Sequence, residues 1–150
     1  MTDELMARLK RLEAAESARD AITTYCIALD TYDLDLLRSV FTDDVTVHGQ
    51  YMGDVSGVDE AIAYFKNALS KRPAHRKHYA LNSKITAVEE DVVTATCYFF
   101  SYHGDTDDLH IAWGRYYYKT RLTGRSSAIC DLTIVLDQPV SGLEAFKPSP

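Results

Sequence analysis

Asp30, His78 and Tyr25 are the residues whose types and surroundings point to chemistry. Asp30 lies at the end of the stretch Ala21–Asp33, AITTYCIALDTYD. Ile22, Cys26 and Leu29 recur there at i, i+4 and i+7, the buried stripe of an amphipathic helix. The step from Ile22 to Cys26 continues to Asp30, so a carboxylate is carried onto an apolar face. An unpaired buried carboxylate is costly, and a helix C-terminus disfavours negative charge, so Asp30 needs an answering donor or cation. His78 is the candidate. An imidazole whose Nδ1 proton is held by a carboxylate is an oriented general base, able to take a carbon-bound proton and to be stabilised as imidazolium afterwards. Two structural readings stand beside this one: Asp30 as a cap for the following turn, and His78 as a core histidine bonded to backbone. Tyr25 lies five residues before Asp30, about 140° around the helix, and is either a hydroxyl donor on the flanking wall or a packing residue. There is no G-x-S-x-G elbow to supply a nucleophile.

The elements that must bring these groups together follow from periodicity. Leu5, Leu9 and Leu12 start a stripe that continues through Ala15 and Ala18 to Ile22, so residues 3–31 form one helix, or two with a kink near Glu16–Ser17. Asp33 is placed to cap a short helix, Leu34–Phe41. A strand follows at Val45–Tyr51, then a third helix, Val58–Leu69, opened by Ser56-Gly57-Val58-Asp59 and closed before Pro73. From there strands alternate with polar turns: Arg76–Val88, Val92–His103, Leu109–Leu122 and Ser127–Leu136. In the first of these, Ala80 and Asn82 share the His78 face by the period of two. In the last, Ala128, Cys130, Leu132, Ile134 and Leu136 alternate without a break. Helices first and a meander afterwards give an α+β fold with a mainly antiparallel sheet. A curved sheet closed by the helices would make a cone-shaped barrel with an apolar interior. One domain over residues 1–140 and a loose tail over 141–150 are expected.

Composition narrows the partners. The 150 residues carry a net charge of −6, 46% hydrophobic and 25% charged residues, which is a globular composition and argues against a nucleic-acid partner or an anionic membrane surface. No apolar run approaches a membrane span, and the charged N-terminus MTDELMARLKRLEAAE has no secretory h-region. Three dispersed cysteines, Cys26, Cys97 and Cys130, read as reduced thiols in a cytoplasmic protein. His75 and His78 would face opposite sides of a strand, and Asp105, Asp107 and Asp108 lack the calcium-loop pattern, so no metal is expected. Phosphate-binding glycine loops are missing and no cofactor is indicated. His48 and His103 are titratable groups with no evident partner. Ten tyrosines suit the walls of a ligand cavity.

Several motifs, in this order, carry a family resemblance: A-I-T-T-Y-C-I-A-L-D-T-Y-D-L-D-L-L, V-F-T-D-D-V-T-V-H-G, G-V-D-E-A-I-A-Y-F, H-Y-A-L-N-S-K-I and W-G-R-Y-Y-Y-K-T-R-L-T-G. Over residues 5 to 136 the chain resembles the SnoaL-like group of the nuclear transport factor 2-like superfamily, whose members include dehydratases, a dehydrochlorinase and polyketide cyclases. The resemblance implies a cone-shaped barrel with a deep apolar pocket. It implies that Asp30 and His78 form the dyad of the lyase members, and that Tyr25 contributes as in the bile-acid dehydratase branch. It also implies a homo-oligomer, dimer or trimer, associating through the sheet. Val45, Tyr51, Tyr98, Trp113 and Arg115 are the candidate substrate-binding residues. The chain departs from the lyase pattern on its last strand, where Ser126–Leu136 has no arginine or lysine; Arg115 or a tyrosine is the candidate substitute. The expected activity is a cofactor-independent elimination of water from a hydrophobic cyclic or polycyclic molecule. Isomerisation or cyclisation by the same proton transfer, and a non-catalytic ligand carrier, are the alternatives.

Overall fold

The computed structural model describes residues 2–50, 53–70, 75–104, 109–124 and 126–141. Tyr51, Pro73, the aspartates at 105, 107 and 108, and the tail beyond 141 lie outside them. The fold is α+β: helices α1 (Thr2–Thr31), α2 (Leu34–Ser39) and α3 (Val58–Ser70) pack on strands β1 (Phe41–Gly49), β2 (Gly53–Ser56), β3 (Arg76–Glu89), β4 (Val92–His103), β5 (His110–Thr123) and β6 (Ser126–Ser141). The sheet runs β2-β1-β6-β5-β4-β3. All its pairings are antiparallel except β1 with β6, which is parallel. The sheet is therefore mixed, and it does not close into the expected barrel: β2 and β3 are its edges.

α1 is a single helix with no break at Glu16–Ser17. Its buried stripe starts only at Ala14 and runs through Ala18, Ala21, Ile22, Tyr25, Cys26 and Leu29. Small alanines let the helix lie close to the sheet. The leucines expected to open that stripe, Leu5, Leu9 and Leu12, are instead exposed. α1 ends at Tyr32, which takes the left-handed conformation (φ 54°). The Asp33 amide then closes back on the Ala28 carbonyl at 3.0 Å, and the Asp33 carboxylate caps α2 by accepting from the Leu36 amide at 2.8 Å. α2 is shorter than expected because Phe41 already belongs to β1.

Two bulges change which residues face the core. Asn82 has φ 55° at a register shift between Leu81 and Lys84. Asn82 is therefore exposed, and Ser83 turns inward to hydrogen bond the Tyr118 hydroxyl at 3.0 Å. A second shift, between Lys119 and Thr120 on β5, leaves Cys130 partly exposed and buries Ile129 in its place. The unbroken alternation expected for β6 is thus interrupted. The core lies between the inner sheet face (Val45, Val47, Val93, Ala95, Cys97, Phe99, Tyr116, Tyr118, Leu132) and the helices.

Candidate active site

Asp30 and His78 meet where the last turn of α1 crosses the β3 edge. The His78 ring Nδ1 lies 2.8 Å from Asp30 Oδ1, and the His78 backbone N–H donates to Asp30 Oδ2 at 3.2 Å. One carboxylate thus holds both the ring and the strand that carries it. A carboxylate only accepts, so the Nδ1 proton lies between the two groups, and in the neutral ring Nε2 is the nitrogen with the free lone pair. Both side chains are nearly buried, at 9% and 11% exposure. Asp33 caps α2, which removes the capping reading of Asp30. The bond to a carboxylate removes the reading of His78 as bonded to backbone alone.

His103 completes a second layer that the sequence reading did not pair. Its ring packs edge-on against His78, with centroids 5.0 Å apart and planes at 75°, and the residue is buried. The signal was present in β4: Val93, Ala95, Cys97 and Phe99 face inward, so the same parity carries position 103 inward. His48, by contrast, has partners away from the dyad: Asp54 lies 3.0 Å from its Nδ1 and Asp131 3.7 Å from its Nε2.

Tyr25 is fully buried in an aromatic cluster of the core. It contacts Phe65, Tyr116 and Phe41 edge-on at centroid distances of 5.5, 5.7 and 6.1 Å. Burial pushes both the Tyr25 and Tyr116 phenols well above their ordinary range. Each is a protonated donor near neutral pH and not a base. Val45 is buried on the inner face of β1.

The remaining substrate-binding expectations do not gather at the dyad. Tyr98, Trp113 and Arg115 stand on the opposite face of the sheet. Tyr98 is 54% exposed and its inward neighbours on β4 are Cys97 and Phe99. Trp113 is opposite Phe100, which in turn is opposite Tyr79, and Tyr79 is exposed. Arg115 is bound to Asp137 at 2.6 Å on that outer side, so it does not substitute for a last-strand arginine at the dyad. A cleft of about 1360 Å³ lies elsewhere, between the first half of α1 and the turns at the far end of the sheet. Lys10, Arg11, Glu16, Asp20, Glu90 and Leu122 are among the residues that line it.

No thiol is poised as a nucleophile. Burial pushes Cys26 and Cys97 each up to about 12, with the neighbouring Cys97 and then Asp30 adding to the effect on Cys26. These thiols ionise more readily in the unfolded chain, near 9.0, than in the fold. The stability they contribute is therefore present below pH 9 and is lost as pH rises from 9 towards 12. Thermal melts should fall over that window, and iodoacetamide at about pH 8 should label neither thiol until the protein unfolds.

The comparisons with known proteins agree with this architecture. A SnoaL-like domain model matches residues 10–129, and the chain belongs to that family. The fold is the cone-type α+β fold of the nuclear transport factor 2-like proteins. A Novosphingobium aromaticivorans protein provisionally named as an aromatic ring hydroxylase is 23% identical, with TM-score 0.78 over 91% of this chain and 98% of that one. The hexachlorocyclohexane dehydrochlorinase LinA-type3 of Novosphingobium barchaimii is 16% identical, with TM-score 0.81 over 95% and 99%. A Novosphingobium aromaticivorans protein provisionally named as a scytalone dehydratase is 17% identical, with TM-score 0.73 over 93% and 91%. At these identities the likeness is one of fold. No protein of curated function matches the chain. Among the described residues, no helix is long and apolar enough to cross a membrane.

Proposed function

We propose that the protein is a cofactor-independent lyase that removes water from a hydrophobic cyclic molecule. The observation that carries this reading is the 2.8 Å contact between His78 Nδ1 and Asp30. It leaves Nε2 as the base in a nearly dry setting. Nε2 takes a proton from a carbon next to a carbonyl, and the C–H electron pair becomes the new double bond. The neighbouring C–O bond breaks, and the departing oxygen takes the proton back from the imidazolium and leaves as water. Asp30 orients the imidazole and stabilises its charged form, while His103 limits rotation of the ring. Dehydratase and dehydrochlorinase names among the structural neighbours support an elimination.

Isomerisation or cyclisation would use the same first step with no leaving group. A carrier without turnover is favoured by one feature, the absence of any arginine or lysine from Ser126 to Leu136. One experiment separates the three. A panel of cyclic β-hydroxy ketones is incubated with the protein in deuterated water and followed by NMR. A lyase gives the unsaturated ketone, an isomerase gives deuterium exchange without loss of water, and a carrier gives neither. His78→Gln should slow the reaction about 10²–10⁴-fold, the usual contribution of a positioned base. An unchanged rate in that variant would end the dyad reading.

A further inference from the structure

Arg76 is buried two residues before His78 and has no carboxylate partner among the described residues. It is only 8% exposed, and by strand alternation it emerges on the same inner face as His78. It is paired across the strands with His103, the residue that packs on the His78 ring. Its guanidinium lies over the Tyr32 ring at 5.4 Å, and Tyr32 is held there in a left-handed conformation (φ 54°).

The hydrogen bonding of Arg76 is sparse for a buried cation. Nη1 donates to the Leu69 carbonyl in the last turn of α3 at 3.3 Å, and Nε has no partner among the described residues. Four other arginines show the contrast. Arg19, Arg38, Arg115 and Arg121 each pair with a carboxylate, and their side chains are 40–49% exposed. A guanidinium cannot escape burial by losing its proton. One long bond to a helix-end carbonyl uses one of its five donors and only part of its charge. The plain structural reading, a C-terminal cap for α3, accounts for that bond and leaves the rest of the fork unanswered.

We propose that Arg76 is the anion anchor of the site and that the substrate is an apolar ring compound bearing a carboxylate, gripped by Arg76 while its reacting carbon lies against His78. Residues i and i+2 on a strand have Cα atoms about 6.7 Å apart, so the charged group and the reacting carbon fit on a single ring-sized molecule. Arg76 would take the place of the last-strand arginine that β6 lacks. The inference rests on the dyad reading for the location of the chemistry, but its test does not.

Naphthoate and its neutral isostere naphthamide are titrated by calorimetry into the wild type and into Arg76→Gln, Arg76→Lys and His78→Gln. Wild type should prefer naphthoate by about ten- to a hundredfold, the worth of a charge-assisted pair out of water. R76Q should lose the preference, R76K should keep part of it, and H78Q should keep it whole. Equal affinity of the two probes for wild type, or no binding of naphthoate, overturns the proposal, and so does a preference that survives in R76Q. If R76Q does not fold, the wild-type comparison and R76K decide: a full preference retained in R76K rejects the forked anchor. Failure of the dyad reading would appear separately, as unchanged turnover in H78Q with the naphthoate preference intact.

Discussion

Replacing Asp30 with asparagine moves the His78 proton from Nδ1 to Nε2 and removes the base. The reason is the double contact made by the carboxylate. The His78 backbone N–H is an obligate donor to Oδ2 at 3.2 Å, so the single carbonyl oxygen of an asparagine must face it. The amide NH2 then lands opposite Nδ1, where Oδ1 now sits at 2.8 Å. Nδ1 becomes an acceptor and Nε2 carries the proton. Turnover should fall about 10²–10⁴-fold, as for loss of a positioned base, with little change in fold. Nitrogen NMR checks this without a substrate. At a pH where the ring is neutral in both proteins, Nε2 should resonate as an unprotonated ring nitrogen in the wild type and as a protonated one in D30N. The same tautomer in both proteins would mean that Asp30 does not set the state of the base. D30N and H78Q combined should be no worse than H78Q alone, because the pair acts as a unit.

Gly114→Ala should be among the most destabilising single substitutions. Gly114 sits in β5 beside the register shift where β6 gains a residue. A Cβ there would run into the Val135 carbonyl oxygen and come within 2.9 Å of Phe99 Cε1. The first obstacle is backbone. The second cannot swing aside, because Phe99 is stacked on Tyr116 with centroids 4.5 Å apart. Relief requires prising β6 from β5, at about 3 kcal/mol. That is a large part of a typical stability of about 5–15 kcal/mol, and the melting temperature should drop by roughly 6–12 °C. Gly53→Ala is the control. It has no atom within 4 Å and only the strain of φ +82°, about 1–2 kcal/mol. A G114A protein melting within about 2 °C of the parent would show that β6 yields easily there.

The contrast between what the chain spells out and what it hides follows physical lines. The hairpin β3–β4 was legible to within a residue because its polar turn Glu89-Glu90-Asp91 interrupts two long period-two runs. Asp30 and His78 were legible because each is a polar group on an apolar periodicity. Strand β2, only four residues of sequence GDVS, carries no hydrophobic period and was missed. The bulges at Asn82 and Cys130 shift parity by one residue, which no pattern of apolar residues announces. Aromatic content misplaced Tyr98 and Trp113, because both strands carry aromatic residues on both faces: on β4 Phe99 is buried and Tyr98 exposed, and on β5 Tyr116 and Tyr118 are buried and Tyr117 exposed. Composition cannot tell the inside from the outside of such a strand. In the sequence Arg76 reads only as the start of a strand; its isolation is a property of the fold, which sets carboxylates beside Arg19, Arg38, Arg115 and Arg121 and none of the described ones beside Arg76.

The Asp30 carboxylate has a second consequence, for solubility. β3 is the last strand of the sheet, and an edge strand offers its amides to any other chain that can add a strand. The His78 amide would be one of those templates, at a partly apolar rim. Asp30 occupies it. The group that orients the base therefore also covers this amide against edge-to-edge pairing, and a variant that leaves no acceptor at position 30, such as Asp30→Ala, frees it.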